Sequence, residues 1–273
     1  MGYLLGGLLF GLILEYVNVV SNMGYSYGKF VVMFGKAPKD IPLCIGVGWG
    51  IIMYAARMFS DNLKLPLWSA AALDTLFAIS IDISMDVVAY RLHMWHWNWS
   101  DSGLNPLTAD WFGIPYGNFF GWLMVVFFYS SISRLLERAF ARAKKGQRVL
   151  IALVPILSVL LSQVFLYVML VYVDAFLHRQ FGIISMHRCV AFLLILIAVT
   201  YWGVRKVKPR QSHVPAVSWL VPLWFHTFFF AWLFIGGFYK ENKWLIILGL
   251  LNLVVGAAIH TIGSRKTKAI QTL

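Results

Sequence analysis

Charged residues are scarce in this chain, and their scarcity excludes a soluble globular protein. Asp, Glu, Lys and Arg make up only 12% of the 273 residues, whereas hydrophobic residues make up 60%. Soluble domains usually contain about 25% charged residues. The mean hydropathy of +0.74 points the same way. The composition therefore indicates an integral membrane protein.

Several kinds of chemistry are excluded by what is missing. The seven histidines are scattered, and His93 and His96 form the only closely spaced pair, so the histidine clusters of membrane di-iron enzymes are absent. No lysine lies within an apolar stretch, which excludes a retinal Schiff base, and the sequence gives no nucleophile elbow of a serine hydrolase. We find no flavin, haem or nicotinamide motif, so we expect neither a cofactor nor a metal.

Only two cysteines are present, Cys44 and Cys189, and each lies near the start of an apolar stretch. The sequence favours two free, buried thiols over a disulfide, because nothing in it places the two side chains together.

The sequence is rich in long apolar stretches. A membrane-spanning helix needs about 20 predominantly apolar residues, and eight stretches qualify: 3–22, 42–60, 67–91, 117–136, 149–175, 186–204, 216–238 and 244–262. The first lacks a basic leader and a cleavage site, so we expect it to be retained as a helix. The connections are short. These features predict an all-α polytopic bundle that forms one integral membrane domain over residues 1–273.

The distribution of the basic residues predicts how the bundle is oriented. With eight spans, fifteen of the 23 Lys and Arg residues fall on one side, in four clusters: Arg57 and Lys64; Arg134, Arg138, Arg142, Lys144, Lys145 and Arg148; Arg205, Lys206, Lys208 and Arg210; Arg265, Lys266 and Lys268. The positive-inside rule makes this side cytoplasmic, so both termini are expected in the cytoplasm. The net charge of +12 is then a topology signal, and we expect no binding of nucleic acid.

Five of the eleven acidic residues lie inside apolar stretches: Glu15, Asp74, Asp82, Asp86 and Asp174. An ionised carboxylate in hydrocarbon costs from about 2 to more than 10 kcal/mol, so such groups are expected to be neutral, paired or next to a polar cavity. Asp82 and Asp86 lie one helical turn apart and share a face. Simple hydrogen bonding between helices remains the alternative for each acid, and Asp174 is also one turn from His178.

The predicted topology brings several of these features to one depth. Glu15 lies toward the outer end of its helix, as do Asp82 and Asp86, and Asn118 opens the fourth span; only Asp74 lies deeper. A loop rich in tryptophan joins the third and fourth spans. Its tryptophans could anchor the protein at the membrane interface or contact a ligand. Asn118 could cap its helix or donate a hydrogen bond within a site.

The spacing of Asp82 and Asp86 also matches one aspartate-rich motif of the membrane prenyltransferases. Those enzymes use two such motifs to hold magnesium and diphosphate, and a second motif is absent here. The pair alone therefore indicates an acidic site without specifying its reaction.

Residues 15–122 resemble a family of carotenoid biosynthesis proteins that contains the carotenoid hydratases of the gamma-carotene and bisanhydrobacterioruberin types. The matching segments are Glu15-Tyr16, Gly24 to Gly28, Pro42 to Trp49, Asp82-x-x-x-Asp86 with Arg91 and Trp95-x-Trp97, and Gly113-Ile-Pro-x-x-Asn118-Phe-x-Gly121-Trp122. The resemblance implies a multi-pass protein of a bacterial or archaeal cell membrane. It implies a carotenoid or another long isoprenoid lipid as partner, together with other carotenoid biosynthesis enzymes.

The resemblance also implies a reaction, the addition of water to the terminal double bond of an acyclic carotenoid. Alkene hydration starts with protonation, so it needs a carboxylic acid that keeps its proton, and burial beside a second carboxylate favours the neutral form. We expect Asp82 and Asp86 to act as acid and base, with Glu15 as alternative donor. The residues expected to bind substrate are Tyr25, Asp74, Trp95, Trp97, Asn118 and Trp122. A cyclase, an isomerase or a binding protein without activity remains open.

Overall fold

The computed structural model describes residues 1–22, 24–99, 103–143, 146–207 and 215–270, with side chains to residue 259. Of the predicted basic clusters, Lys144, Lys145, Lys208 and Arg210 lie outside the described residues. The fold is a bundle of helices, which confirms the predicted all-α polytopic class.

Each of the eight predicted stretches is a helix. The helices are α1 Gly2–Val20, α2 Leu43–Asn62, α3 Leu67–Arg91, α4 Tyr116–Phe140, α5 Gln147–Tyr167, α6 Asp174–Phe181, α7 Ser185–Val207, α8 Val217–Ile235 and α9 Trp244–Ile270. A π-helical segment, Val168–Val173, joins α5 to α6, so that Gln147–Phe181 is one continuous helix. Proline directly precedes α2, α3 and α4, which suits a helix start because proline has no N–H to satisfy there.

The predicted number of spans is not exact. Within the described residues, six helices are long and apolar enough to cross a membrane: Gly2–Val20, Leu43–Asn62, Tyr116–Phe140, Gln147–Phe181, Ser185–Val207 and Val217–Ile235. The apolar part of α9, Trp244–Ile259, is shorter. Helix α3 is absent from this group and carries three aspartates.

Helix α3 lies at the centre of the bundle. It packs against α2, α4, α7, α8 and α9, and most of its 25 residues are buried. Small residues such as Ala70, Ala71, Ala72, Ala78 and Ala89 allow this close approach. The outer helices instead expose large apolar side chains, as Leu160, Leu194 and Val254 do. Such a continuous apolar exterior is what lipid requires. The chain is a membrane protein.

Four short strands, which the sequence analysis did not predict, cover one end of the bundle. They are β1 Tyr25–Tyr27, β2 Met33–Lys36, β3 Lys39–Pro42 and β4 Trp95–Trp97. Strands β2 and β3 form a hairpin between α1 and α2. Strand β1 pairs antiparallel with β4, which comes from the loop between α3 and α4. This pairing joins two loops that are 70 residues apart in sequence and closes the bundle end.

Candidate functional site

The paired strands β1 and β4 present four aromatic rings to the bundle. Tyr25 is opposite Trp97 and Tyr27 is opposite Trp95, while Ser26 is opposite His96. Side chains alternate between the two faces of a strand, so the four rings share one face, and all four line a cavity beneath the strands. The strands therefore form an aromatic lid.

Glu15 of α1 lies under this lid and accepts three hydrogen bonds. Tyr25 Oη and Tyr27 Oη both donate to Oε2, the latter over 2.8 Å. Trp49 Nε1 of α2 donates to Oε1 over 2.8 Å. Burial, with the nearby Glu15 carboxyl as a second cause, raises the pKa of Tyr25 and of Tyr27 well above the usual range for tyrosine. Both phenols thus remain O–H donors, and Glu15 is held as an acceptor.

Asp82 and Asp86 meet at the same end of α3, as the sequence predicts. Asn118 Nδ2 of α4 donates to Asp86 Oδ2 over 2.6 Å and to Asp82 Oδ2 over 3.3 Å. The two carboxyl groups thus share one amide donor. Asp82 is fully buried, and Asp86 is 4% exposed. Asn118 is therefore a donor within the site. It does not cap its helix, because the cap position is Pro115.

Glu15, Asp86 and Asn118 line one apolar cavity of about 230 Å³. Opposite the lid, Trp49 stacks on Trp122 with ring centroids 4.0 Å apart. The remaining wall is mostly apolar and consists of Phe30, Cys44, Ile45, Gly48, Ile52, Met85, Met94, Phe225 and Phe229. Asp82 lies behind Asp86 and does not reach the cavity surface. The predicted convergence of carboxylates beneath tryptophans is thus present in the structure.

These carboxyl groups lack the ion pairs found elsewhere in the bundle. Among the described residues, the salt bridges involve Asp61, Asp74, Glu137, Asp174 and Glu241, and none involves Glu15, Asp82 or Asp86. A carboxyl that is buried without a cation tends to hold a proton. The site therefore combines acidic groups with an apolar environment, which is the setting that acid catalysis requires.

The structure does not bring Asp74 to this cavity. Asp74 lies nearer the other end of α3, where Ser130 Oγ donates to it over 2.6 Å and Arg134 Nη2 lies 3.1 Å away. Its partner on α4 is 60 positions distant in sequence, so no local pattern revealed the pair. The position of Asp74 gives no support to the predicted role in substrate binding.

Asp174 also has a partner other than the one expected. Its Oδ1 lies 2.7 Å from Arg188 Nε of α7, so the contact is with Arg188 and not with His178. The pair ties the end of the long helix to its neighbour. It lies at the same end of the bundle as the aromatic lid.

Several lining residues were missed by the sequence analysis, among them Tyr27, Trp49, Phe225 and Phe229. Two signals were available for the lid. Tyr-Ser-Tyr at 25–27 and Trp-His-Trp at 95–97 each alternate aromatic and polar residues, the period of a strand. The contribution of Phe225 and Phe229 depends on where α8 packs, and the sequence of α8 carries no sign of it.

Among the described residues, the remaining candidate groups do not form a further site. Cys44 and Cys189 are free, as expected, although Cys44 is exposed instead of buried. Contrary to the sequence analysis, Gly24-Tyr-Ser-Tyr-Gly28 does have the letters of a nucleophile elbow, but Ser26 lies in mid-strand and not at a strand-to-helix turn. Within the described residues, no group of three or more His, Cys, Asp or Glu could hold a metal ion.

A family model described as carotenoid biosynthesis protein matches residues 1–189. The chain belongs to the carotenoid biosynthesis protein family. The match includes Glu15, Asp82, Asp86 and Asn118, and it extends the resemblance, noted over 15–122, in both directions. It ends within α7, so the α8 residues that complete the cavity lie beyond it. Searches of curated proteins and of solved structures return no match to the chain.

Proposed function

We propose that this carotenoid biosynthesis protein is a hydratase that adds water to the terminal double bond of an acyclic carotenoid end group. One observation carries the proposal. In a member of this family, Glu15 and Asp86 line an apolar cavity, and Asp82 supports Asp86 from behind. None of the three carboxyl groups is neutralised by a cation in the described residues. The mechanism follows from how these groups are held.

The Asp82–Asp86 pair is suited to hold one proton. Two carboxylates that share one amide donor repel each other, whereas a carboxyl and a carboxylate can share a hydrogen bond. Asn118 donates the two hydrogen bonds that the pair receives from other side chains in the described residues, and Asp82 Oδ1 receives none. Burial of both groups adds to the cost of a double negative charge. The pair thus supplies an acid and a base together.

The chemical steps conserve atoms and charge. The π electrons of the terminal double bond take the proton of Asp86, which forms a C–H bond at the CH carbon and leaves a tertiary cation on the carbon with two methyl groups. A water oxygen forms the C–O bond to that cation and loses a proton to the pair. The pair therefore carries one proton before and after the reaction, and alkene plus water gives a tertiary alcohol.

Asp86 is assigned the proton transfer because it reaches the cavity, whereas Asp82 contacts it from behind. Glu15 is assigned a different role from the alternative donor suggested by sequence. Three donors hold it as an acceptor, so its oxygens present partial negative charge to the cation that forms nearby. The stacked faces of Trp49 and Trp122 add to this stabilisation.

The size and position of the cavity fit one end of a long polyene. Pockets that enclose a whole drug-sized ligand measure roughly 300–1,000 Å³, and this cavity of about 230 Å³ is smaller. Cys44 lines it and is exposed, so the cavity reaches the bundle surface beside α2. The end group would occupy the cavity while the rest of the chain stays in the ~30 Å hydrocarbon layer.

Product analysis in a host that makes lycopene tests the proposal. We expect a new pigment heavier than its precursor by one water. An isomer of unchanged mass with a shifted absorption spectrum would identify a cyclase or an isomerase instead. A host in which the protein retains pigment but no product forms would identify a binding protein.

The Asp86→Asn variant tests the assigned acid. It keeps the size of the side chain and removes the proton, so we expect conversion to fall about 100-fold or more. Asp40→Asn is the matched control, since Asp40 lies in the β2–β3 hairpin outside the cavity. Wild-type conversion by the Asp86 variant, at equal protein level in the membrane, would refute the role of Asp86.

A further inference from the structure

A second cavity lies behind the first. It measures about 350 Å³, and six residues line both cavities: Glu15, Tyr25, Trp49, Trp97, Asn118 and Trp122. These six residues, which we call the dividing wall, form the boundary at which the two cavities adjoin. The wall includes the Glu15 carboxyl and the Asn118 amide, so polar site groups are presented to both sides.

The two compartments differ in the side chains that they do not share. The first is closed by apolar residues such as Ile52, Phe225 and Phe229. The second is lined by Asn18, Asn98, Asp174 and Ser185, along with apolar groups from α1, α4 and the π-helical segment. Polar lining favours occupation by water, because water needs two to four polar partners to be held in a cavity. We call these the apolar and the polar compartment.

The polar compartment continues toward the bundle surface. Asp174 and Ser185 also line a hollow together with His178, Arg179 and Arg188. His178 and Arg179 are exposed. Asp174 and Ser185 therefore connect the hollow at the surface to the compartment that reaches the dividing wall.

The π-helical segment also borders the polar compartment. Leu170, within Val168–Val173, lines it, and Asp174 follows the segment directly. π-Helical turns are rare and occur often at functional sites, because the extra residue displaces the helix that follows. Here the displaced part carries Asp174.

We propose that the polar compartment is the path by which water reaches the carboxyl groups, separate from the apolar compartment that takes the polyene end. This inference rests on the proposed hydratase function. Hydration needs one water at the cation, whereas bulk water around the polyene would prevent its end group from binding. Two compartments that share Glu15 and Asn118 in their lining satisfy both requirements.

Two glycines allow each compartment to be filled separately. Gly48 of α2 lines only the apolar compartment, and Gly121 of α4 lines only the polar one. A Cβ atom at either position meets nothing within 4 Å. Both glycines are helical, and leucine favours a helix over glycine by about 0.8 kcal/mol. The variants Gly48→Leu and Gly121→Leu are therefore expected to fold.

Expressed in the lycopene host, the two variants should fail differently. Gly48→Leu should lose both bound pigment, measured on the purified protein, and product. Gly121→Leu should keep wild-type bound pigment and lose most of the hydrated product. If Gly121→Leu retains wild-type conversion, the water path is refuted while the hydratase function stands. If it loses bound pigment as Gly48→Leu does, the polar compartment holds substrate and the inference is also wrong.

A labelling experiment tests the path without using the reaction. Cysteine is placed at Gly121 or at Gly48 in a Cys44→Ser, Cys189→Ser background, and intact membranes are treated with a charged, water-soluble thiol reagent. We expect labelling at position 121 and none at position 48. Equal labelling at both positions, or labelling at 48 alone, would refute the separation of compartments. The labelling could match this expectation while the protein forms no hydrated product in the lycopene host. That result would support the water path and refute only the proposed hydratase function.

Discussion

At the scale of single residues, Glu15 shows how surrounding donors give a buried carboxyl one role. Its two oxygens receive hydrogen bonds from Tyr25, Tyr27 and Trp49, which come from the lid and from α2. A carboxylate can accept at both oxygens, whereas an amide accepts only at one. The hydrogen-bond pattern therefore requires Glu at this position, and glutamine should not replace it.

We predict that Glu15→Gln lowers stability as well as activity. If the NH₂ group of glutamine faces the indole, the Trp49 N–H is left without an acceptor. If it faces the phenols, their O–H groups must turn away and lose the acceptor that Glu15 provided. A buried donor left without an acceptor costs about 1–3 kcal/mol. Thermal unfolding of the purified protein in detergent measures the loss. Tyr25→Phe is the control, because it removes one donor and leaves Glu15 with two, so its loss should be smaller. Equal melting temperatures for Glu15→Gln and the wild type would show that the three hydrogen bonds do not hold Glu15.

Asp74 shows the opposite outcome for the same residue type. In the sequence it resembles Asp82 and Asp86, since all three lie within one apolar helix. What distinguishes them is the facing side chain, and only Asp74 faces an arginine, Arg134. A carboxylate paired with a buried guanidinium is neutralised and structural. The sequence identifies the three aspartates, but the side chains that face them depend on how α3 and α4 pack.

At the scale of elements, the lid depends on two strands of three residues each. Three-residue strands are too short to be stable alone, so their pairing relies on the helices that position them. Asn98 N–H donates to Gly24 C=O and Gly28 N–H donates to Met94 C=O. The pattern alternates along an antiparallel ladder, so Ser26 and His96 are the hydrogen-bonded pair between them.

We predict that Ser26→Pro abolishes activity without unfolding the bundle. Proline removes the Ser26 N–H from the ladder, and the neighbouring Tyr25 and Tyr27 lose their position above Glu15. Conversion in the lycopene host should be lost while helical circular dichroism stays at the wild-type level. Ser26→Ala keeps the N–H and should retain conversion. An active Ser26→Pro variant would show that the strand pairing does not shape the site.

The elements differ in how far sequence predicts them. The helices are set by long apolar stretches, and α3 has the bounds expected from its sequence, 67–91. The strands depend on contacts between distant loops, which single-sequence periodicity over three residues cannot establish. The carboxylates were placed at one end because alternating spans fix the depth of each residue. The dividing wall was not predicted, since it requires the positions of α1, α2 and α4 relative to each other.

At the scale of the whole molecule, the two ends of the bundle have different electrostatic character. At one end Arg57 pairs with Asp61 and Glu137, and Arg134 pairs with Asp61 and Asp74. At the other end are Glu15, Asp82 and Asp86 beneath the lid. Acids at the first end are thus neutralised by arginines. Arg91 and Arg188 lie at the lid end, but they pair with Glu241 and Asp174. The three carboxyl groups beneath the lid therefore have no cationic partner in the described residues.

The orientation itself is testable, and we predict that the lid lies outside the cytoplasm. The eight-span prediction puts fifteen of the 23 basic residues on the opposite side, and loops rich in lysine and arginine remain cytoplasmic. A reporter that fluoresces only in the cytoplasm, fused to the C-terminus, should be bright. A phosphatase that is active only outside the cytoplasm, inserted in the exposed loop at 103–108, should be active. Replacing the described Arg138, Arg142 and Arg148 with glutamine should lower both signals, because it weakens the charge bias. The reverse pattern would place the carboxyl groups on the cytoplasmic side, and water would then reach the polar compartment from the cell interior.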